Sequence, residues 1–292
     1  MWHKNVNYMN VTVSAPAKIN LTLEVLGKRD DGYHEIRTVL QAISLADTLS
    51  FETSGRLEFR SDMADWVGEK SLVSRAAVLL KEKTGSAEGA SVFVEKRIPL
   101  LSGLGGDSSN AAAALVGFDR LWGLGVGIEG LLPMARQLGS DVPFFLYGGT
   151  VLASGRGEVI TRLQAGPRLW LVLVVPSVAR VPGKTKQLYQ SLRPNHYTDG
   201  SITQRLASAL EATGEGFGSS LVFNAFENVA FEQYPGLGTV REHMLKMGAP
   251  NVHLAGSGPT LFALFGDKSR AEDMHTQMKR QKLDTFLAET LP

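Results

Sequence analysis

The sequence predicts an α+β protein made of two lobes. Its 292 residues exceed the size at which a single hydrophobic core stops growing, so the chain is expected to divide. Apolar residues make up 43% and charged residues 20%, which is the balance of a globular protein with a large core. Strand and helix patterns interleave along the whole chain, as in an α+β sandwich. We predict a first lobe over residues 1–164 and a second over residues 165–292.

The first lobe is predicted from alternation and from helix signals. Apolar and polar residues alternate from Ile19 to Val25, which indicates a half-buried strand. Because residues two apart share a strand face, Lys18 and Asn20 emerge side by side on its polar face. The later patterns predict a hairpin over 48–60, a helix over 71–83 that ends at Gly85, a strand over 91–94, a helix over 109–122 and a hairpin over 150–162.

The second lobe is predicted to open on a continuous apolar strand over 169–175. Further patterns predict helices over 202–212, 221–232, 238–247 and 269–282, and strands over 252–254, over 260–265 and at the end of the chain. The sequence shows no internal repeat and no coiled-coil heptad.

Charge and cysteine usage exclude several classes of function. Thirty Lys plus Arg face 29 Asp plus Glu, so the net charge of +1 lacks the basic footprint of a nucleic-acid binder. The absence of cysteine excludes disulfides and thiolate metal sites. The longest apolar run, Leu169 to Val175, is too short to span a bilayer, and Met1 to Asn10 lacks a cleavable signal pattern. We expect a cytoplasmic protein with a small-molecule partner, bound to neither nucleic acid nor membrane.

A glycine-rich stretch between a strand and a helix is the strongest local signal. It reads Pro99-Leu-Leu-Ser-Gly-Leu-Gly-Gly-Asp-Ser-Ser-Asn110. Phosphates need several inward backbone N–H donors and close approach of the main chain, and a helix N-terminus adds partial positive charge. The stretch is neither a Walker loop nor a Rossmann fingerprint. Its glycines alone fit equally a loop that only lets strand and helix pack.

Taken whole, this string resembles the second motif of the GHMP kinases, named for galactokinase, homoserine, mevalonate and phosphomevalonate kinases. Three further blocks are similar to that family and follow in its order: Pro16-Ala-Lys-Ile-Asn-Leu21 with Asp31-Gly-Tyr-His-Glu35, then Leu138-Gly-Ser-Asp-Val-Pro-Phe-Phe145, and the third motif, Leu254-Ala-Gly-Ser-Gly-Pro-Thr260. Together the blocks span residues 11 to 265.

The resemblance implies a fold and an activity. The N-terminal lobe is expected to be ribosomal-protein-like and the C-terminal lobe ferredoxin-like, with ATP and substrate in the cleft between them. The cofactors implied are ATP and Mg²⁺, with ligands for the metal left unassigned. The Gly-Tyr-His block is typical of a branch that phosphorylates the 2-hydroxyl of a cytidine diphosphate-linked methylerythritol in the non-mevalonate route to isoprenoid precursors. The alternatives are a homoserine-type or mevalonate-type kinase and a non-catalytic ligand-binding module on the same fold. A monomer or weak homodimer is expected.

Two residues are assigned to catalysis by the resemblance. Phosphoryl transfer requires alignment, a group that accepts the hydroxyl proton, and positive charge near the phosphate oxygens. Asp141 is the expected base and Lys18 the expected cation. From local sequence alone Asp141 also fits a helix N-cap, and Lys18 also fits a solvated strand lysine. Asn20 is expected to hydrogen-bond the substrate or to orient Lys18.

Recognition of the substrate is assigned to two aromatic segments. Tyr33 is expected to stack on the cytosine ring and His34 to hydrogen-bond its edge, although an isolated Tyr-His pair more often only packs at a turn. The family pattern Ser-Thr followed four residues later by an aromatic nominates Thr185 and Tyr189, which helical spacing places on one face. In that pattern Lys184 stands at the serine position.

The nucleotide is assigned to the glycine-rich loop and to the lysine before it. The expected ATP-binding residues are Lys96, Pro99, Leu100, Leu101, Ser102, Gly103, Leu104, Gly105, Gly106, Asp107, Ser108 and Ser109. Lys96 also fits a solvated lysine at a strand end, and the serine hydroxyls also fit a helix cap. The third-motif residues Gly256, Ser257 and Gly258 are expected to close over the substrate or phosphate side, and also fit an ordinary turn between strands.

The loop departs from the family pattern at two glycines. Leu101 is acceptable if the backbone there suits an L-residue. A carboxylate at Asp107, about 5 Å from a phosphate charge, would cost on the order of 3 kcal/mol at an effective dielectric of about 20. Asp107 therefore either turns toward the helix end, where the dipole favours it, or helps to hold magnesium. A weakened nucleotide site is the third alternative.

Overall fold

The computed structural model describes residues 10–178, 183–213 and 221–292. Over these residues the chain forms two compact units, each made from separated segments. Unit 1 comprises residues 10–15, Ala46–Arg97 and Gly106–Leu146. Unit 2 comprises Pro16–Leu45, Ile98–Gly105 and Tyr147–Pro292. The lobe boundary after residue 164 stays a prediction.

Residues 10–147 form four strands and four helices. They are β1 (Asn10–Lys28), β2 (His34–Ser54), β3 (Leu57–Ser61), α1 (Leu72–Thr84), β4 (Gly89–Glu95), α2 (Gly106–Leu121), α3 (Gly127–Leu138) and α4 (Val142–Tyr147), with a short 3₁₀ turn at Gly68–Lys70. Ser71 caps α1 by accepting from the Ser74 N–H, and Gly85 ends it in the left-handed conformation. The predicted helix over 71–83 is confirmed.

In unit 1 the strand β4 lies between β2 and β3. It pairs antiparallel with the end of β2, Thr48 opposite Glu95, and parallel with β3, Leu57 opposite Ala90. The predicted hairpin over 48–60 is therefore wrong, because the two strands joined at Ser54 both hydrogen-bond to β4. The helix α2 packs on this layer so closely that a Cβ on Gly117 would lie 2.3 Å from the Phe51 ring.

The second half contributes seven strands and five helices within the described residues. They are β5 (Thr150–Gly155), β6 (Val159–Arg162), β7 (Trp170–Val175), α5 (Lys184–Ser191), α6 (Ser201–Thr213), β8 (Phe223–Asn224), α7 (Glu227–Gln233), α8 (Leu237–Lys246), β9 (His253–Leu254), β10 (Leu261–Phe265), α9 (Lys268–Arg280) and β11 (Asp284–Glu289), with a 3₁₀ turn at Pro194–His196. The hairpin over 150–162 is confirmed, since β5 and β6 pair antiparallel.

Unit 2 contains a four-stranded sheet in the order β11-β7-β10-β9. Leu171 and Val172 of β7 lie opposite Leu264 and Ala263 of β10. Outside this sheet, β1 pairs parallel with β8, and the start of β2 pairs antiparallel with β5. Side chains from β7 fill two hydrophobic clusters on opposite sides of the strand, which explains why its sequence is apolar without alternation.

One helix prediction in unit 2 is wrong at its start. Residues 221–232 were expected to be helical throughout, but Phe223 and Asn224 form β8 beside Thr22 and Leu23, and the helix begins only at Glu227. The pairing is with a strand about 200 positions earlier in the chain, so local spacing does not show it. Within the described residues no helix combines the length and apolarity that crossing a membrane requires.

Candidate active site

The polar face of β1 carries Lys18 and Asn20, and both residues are buried. They are only 5% and 3% exposed. The Lys18 ammonium donates to Asn20 Oδ1 at 2.7 Å, and Asn20 Nδ2 donates to Thr38 Oγ1 at 2.8 Å. A buried lysine held in this way is not a solvated strand lysine, so that alternative is wrong. The hydrogen bond between Asn20 and the Lys18 ammonium is the contact that an orienting role of Asn20 needs, and that role stays a prediction.

Further polar residues extend this network along β1. Thr38 Oγ1 donates to the Thr22 carbonyl, and the Thr22 hydroxyl accepts from Thr203 Oγ1 at 2.9 Å. The Thr203 backbone N–H donates to a carboxylate oxygen of Glu24 at 2.6 Å, at the start of α6. The whole polar face of the strand is therefore tied to β2 and α6. Sequence reasoning found the face but missed Thr38 and Thr203, which lie far away along the chain.

The glycine-rich loop and the third-motif turn touch through their backbones in unit 2; we call this the loop contact, formed by Gly103, Ala255, Gly256 and Gly258. A Cβ placed on Gly103 would lie 2.1 Å from the Ala255 carbonyl oxygen and 2.8 Å from the Gly258 nitrogen. A Cβ on Gly256 would lie 2.8 Å from both the Gly103 carbonyl oxygen and Lys18 Nζ. Only glycine fits at these two positions, which also have φ of 88° and 54°.

Four hydrogen bonds hold the loop contact beside Lys18. The Lys18 backbone N–H donates to the Leu104 carbonyl at 2.9 Å, and the Thr260 N–H donates to the Ser102 carbonyl at 3.2 Å. Asn224 donates through Nδ2 to the carbonyls of Leu254 and Gly256, each at 2.8 Å. The structure thus brings the predicted cation, the loop and the third motif together. Asn224 was not predicted, because its contacts are long-range.

Lys184 also holds these segments and was missed by the sequence analysis. Its side chain is buried, and its ammonium donates to the carbonyl oxygens of Leu101 and Gly258. The neighbouring Thr185 hydroxyl and the Ser257 hydroxyl are hydrogen-bonded at 2.8 Å. A lysine that is followed by polar residues is normally predicted to be exposed to solvent. The one indication of a different role was that Lys184 stands at the serine position of the family pattern.

Leu101 does not have a conformation that suits an L-residue. Its φ is 53°, in the left-handed region, and its side chain is exposed. This backbone costs a leucine roughly 1–2 kcal/mol relative to glycine. The condition stated for accepting Leu101 is therefore not met, and another interaction must offset the strain.

The start of α2 in unit 1 carries the remaining loop residues. Gly106 is the first helical residue, Asp107 lies exposed in the first turn, and Ser109 is buried. A carboxylate in a first turn is stabilised by the helix dipole by about 0.3–1 kcal/mol. The Asp107 carboxylate thus lies at the helix N-terminus, where the helix dipole was predicted to offset its repulsion from a phosphate.

Asp141 and Lys96 also belong to unit 1. Asp141 is half-buried and directly precedes α4, the position that the N-cap alternative expects. The Lys96 ammonium forms a buried ion pair with Asp47, whose other oxygen accepts from the Arg97 N–H at 2.7 Å. Lys96 is therefore not a solvated lysine. Asp47 was not foreseen, because it lies on β2, far from Lys96 in the sequence.

Two of the three aromatic residues predicted to bind the base, His34 and Tyr189, belong to an aromatic group in unit 2. His34 stacks on Tyr189 with ring centroids 4.8 Å apart and an interplanar angle of 17°, and Tyr197 meets His34 edge-on. We call His34, Tyr189 and Tyr197 the aromatic stack. Tyr33 stands apart, 56% exposed, with the Arg156 guanidinium 4.6 Å from its ring centroid. Burial, followed by the nearby charge of Lys28, lowers the pKa of His34.

A short turn presents Tyr33 and His34. The Asp31 carboxylate accepts from the Tyr33 N–H at 3.0 Å, the Tyr33 carbonyl accepts from the Arg29 N–H at 2.8 Å, and Gly32 has φ of 83°. The Tyr33 hydrogen bond, together with Arg29, lowers the pKa of Asp31. Side-chain bonding of an aspartate to the backbone two residues on is the standard means of fixing such turns.

Known proteins are similar to this chain over most of its length. Residues 71–149 match the GHMP kinases N terminal domain, and residues 206–284 match the GHMP kinases C terminal domain. A relative from Dehalococcoides mccartyi, 4-diphosphocytidyl-2-C-methyl-D-erythritol kinase, is 46% identical over 96% of this chain and 98% of its own. The protein of the same name from Pelotomaculum thermopropionicum is 40% identical over 93% and 95%.

Solved structures are similar over nearly the whole chain. A crystal structure of 4-(cytidine 5'-diphospho)-2C-methyl-D-erythritol kinase, 34% identical, matches with a TM-score of 0.82 over 97% of this chain and all of its own. Homoserine kinase from Cytophaga hutchinsonii, 20% identical, matches with a TM-score of 0.75 over 100% and 97%, and shows the fold alone.

Fold and relatives together define the class of protein as an ATP-dependent small-molecule kinase. The chain belongs to the GHMP kinase family. The family resemblance and the predicted α+β fold class are thereby confirmed. The roles of individual site residues stay predictions.

Proposed function

We propose that this chain transfers the γ-phosphoryl group of ATP to the 2-hydroxyl of 4-diphosphocytidyl-2-C-methyl-D-erythritol, in the non-mevalonate route to isoprenoid precursors. The substrate is the one named by relatives 46% and 40% identical over more than nine-tenths of the chain. The observation that carries the proposal is the buried Lys18 ammonium, held by Asn20 beside the loop contact.

The environment of Lys18 suits a cation that stabilises a transferring phosphoryl group. Its ammonium is desolvated and fixed by a hydrogen bond, so little reorganisation is needed when charge develops on the phosphate oxygens. The loop contact adjoins it and brings glycine backbone close by. Preorganised charge of this kind is usually the largest single contribution to such reactions.

The remaining chemistry is a proton transfer coupled to exchange of one phosphorus–oxygen bond. The substrate 2-hydroxyl oxygen forms a bond to the γ-phosphorus, the bond from that phosphorus to the β-γ bridging oxygen breaks, and ADP leaves with the electron pair. Asp141 accepts the hydroxyl proton. A carboxylate suits this step because its charged form is a ready acceptor at neutral pH.

Magnesium is proposed to be bound with the nucleotide rather than by a protein cage. The described residues contain no group of three His, Cys, Asp or Glu that could hold a metal ion. The predicted ATP-binding segment includes the Asp107 carboxylate and the hydroxyls of Ser108 and Ser109, which are hard oxygen ligands of the kind that Mg²⁺ takes together with phosphate oxygens. An ion held by these oxygens would neutralise charge on the triphosphate.

Selection of a cytidine-linked substrate is assigned to the aromatic residues. His34 and Tyr189 already lie face to face, and a ring stacked on another aromatic contributes about 0.5–1.5 kcal/mol beyond its buried area. Tyr33 is exposed at the end of the neighbouring turn, where its ring is accessible to a base. Thr185 lies one helical turn before Tyr189 on α5, hydrogen-bonded to Ser257.

A coupled ADP-release assay with a panel of acceptors tests the proposal. The panel contains the cytidine diphosphate-linked methylerythritol, its uridine-linked counterpart, homoserine and mevalonate. We expect kcat/KM for the cytidine-linked alcohol to exceed that of every other acceptor by at least about a hundredfold, because the lost base contacts are not replaced. Faster turnover of homoserine or mevalonate would assign the chain to another branch. Nucleotide binding without turnover of any acceptor would indicate a non-catalytic module.

A further inference from the structure

Lys184 connects three segments of unit 2 that sequence analysis treats separately. It is the first residue of α5, and its ammonium donates to the carbonyls of Leu101 in the glycine-rich loop and Gly258 in the third-motif turn. Thr185 adds the hydroxyl contact with Ser257. The first turn of α5 is therefore attached both to the loop assigned to ATP and to the turn that closes beside it.

Both residues of the Lys184–Leu101 hydrogen bond depart from the family pattern. Leu101 occupies a glycine position of the family pattern and adopts a left-handed φ of 53°. Lys184 occupies a serine position, and a serine has one O–H donor where the ammonium has three. A single serine hydroxyl cannot donate to two carbonyls at once. The lysine thus holds in place a loop residue whose backbone is strained.

The same helix carries the substrate side of the site. Tyr189 lies on α5, four residues after Thr185, and stacks on His34. Lys184 and Leu188 anchor the helix through their buried side chains. One short helix of eight residues therefore carries both Lys184, which is bonded to the Leu101 carbonyl, and Tyr189 of the aromatic stack.

We propose that Lys184 is a positioning residue that couples nucleotide binding at the glycine-rich loop to substrate binding at α5. The inference rests on the proposed function, because it takes ATP and the cytidine-linked alcohol as the two ligands. A nucleotide that orders the Leu101 turn also orders Lys184 and the first turn of α5, so the second ligand binds a helix that is already fixed. By thermodynamic reciprocity, each ligand raises the affinity for the other by the same factor.

The test compares Lys184→Met with Lys186→Met on the full chain. Methionine keeps an unbranched apolar stem but removes every donor, and Lys186 is an exposed lysine two residues away on the same helix. Calorimetry gives the dissociation constant of the cytidine-linked alcohol with and without a saturating, non-hydrolysable ATP analogue. In the parent we expect the analogue to tighten binding by about 5-fold to 150-fold. Lys184→Met is expected to bring that ratio close to one, whereas Lys186→Met keeps it.

Two additional variants separate coupling from a general loss of structure. Lys184→Gln retains two N–H donors on a shorter side chain and is expected to keep part of the ratio, so the inference can still be tested if the methionine variant does not fold. Leu101→Gly removes the backbone strain, and in that background Lys184→Met is expected to weaken binding of the ATP analogue less than it does in the parent. A purely structural role would weaken binding equally in both backgrounds.

An unchanged ratio in folded Lys184→Met, or an equal fall in Lys186→Met, would overturn the inference. A parent without any coupling would overturn it as well, even with normal kinase activity. Failure of the proposed function is a different result, since the parent would then bind the ATP analogue yet not phosphorylate the cytidine-linked alcohol.

Discussion

The loop contact and the aromatic stack lie in the same unit but are held by different forces. In the loop contact, backbone atoms approach so closely that Gly103 and Gly256 leave no room for a Cβ. In the aromatic stack, the rings of His34 and Tyr189 lie face to face with their centroids 4.8 Å apart. Tyr33, which precedes His34 in the chain, is largely exposed. The first region therefore tolerates almost no change of residue. The second depends on ring area, and graded changes are expected there.

This difference matches the demands of the two halves of the reaction. Phosphoryl transfer requires charges and donors fixed to within fractions of an ångström, because only preorganised groups stabilise the transition state. Recognition of a base requires area and a few polar contacts, which side chains supply and can rearrange. Substitutions in the loop contact should lower stability and kcat, and substitutions in the aromatic stack should raise KM.

The largest effect is expected for Gly103→Ala. Its new Cβ would lie 2.1 Å from the Ala255 carbonyl oxygen at a φ of 88°, so both strain and overlap oppose folding. We expect the free energy of unfolding to fall by about 3 kcal/mol or more, and turnover to fall with it. Chemical denaturation and steady-state kinetics measure the two losses.

Gly85→Ala is the matched control for Gly103→Ala. Gly85 has φ of 72° but nothing lies within 4 Å of its Cβ position, so only the left-handed strain of roughly 1–2 kcal/mol applies. Equal losses of stability in the two variants would show that the close approach of the loop and the third motif contributes nothing.

A smaller effect is expected for Tyr189→Ala. Removing one face of the aromatic stack should raise KM for the cytidine-linked alcohol by about 5-fold to 30-fold, from the loss of about 1–2 kcal/mol of stacking, with kcat within about threefold of the parent. Tyr189→Phe keeps the ring and should behave as the parent. A fall in kcat with unchanged KM would instead place Tyr189 in the transition state.

The smallest effect is a pH dependence of substrate binding through His34. Burial and then Lys28 lower the pKa of His34, so less than half of its imidazole is protonated at pH 6.5, where a free histidine is half protonated. KM for the cytidine-linked alcohol should rise as the pH falls through the lowered pKa, with a midpoint below that of a free histidine. His34→Gln should abolish that rise. A KM that climbs already between pH 8 and 7 would contradict this assignment.

The sequence predicted the polar face of β1 better than it predicted the pairing of strands. Alternation along β1 placed Lys18 and Asn20 on one face, and the structure joins them by a hydrogen bond. The strand order β2-β4-β3 could not be predicted from local sequence. The residues of the Ser54-Gly55 turn are the same whether the two strands that it joins pair with each other or each pair with a third strand. Local sequence patterns predict individual helices and strands, whereas the order of strands in a sheet depends on contacts between residues far apart in the chain.

Lys184 and Asp47 illustrate the second limit. Nothing in the local sequence distinguishes a lysine that holds two distant carbonyls from one that faces water, and Asp47 is recognisable only once β2 lies beside Lys96. Buried charges need partners, so such residues are found from burial and not from spacing. The family pattern gave the one usable signal, the replacement of a serine at position 184.

The central claim, that this chain is a kinase with Asp141 as base, is tested most directly by Asp141→Asn. Asparagine keeps the shape of the side chain and removes the proton acceptor. We predict that kcat for the cytidine-linked alcohol falls by roughly 100-fold to 10,000-fold while the dissociation constants of substrate and ATP analogue stay within about threefold of the parent values. A loss of kcat smaller than about tenfold would contradict the account.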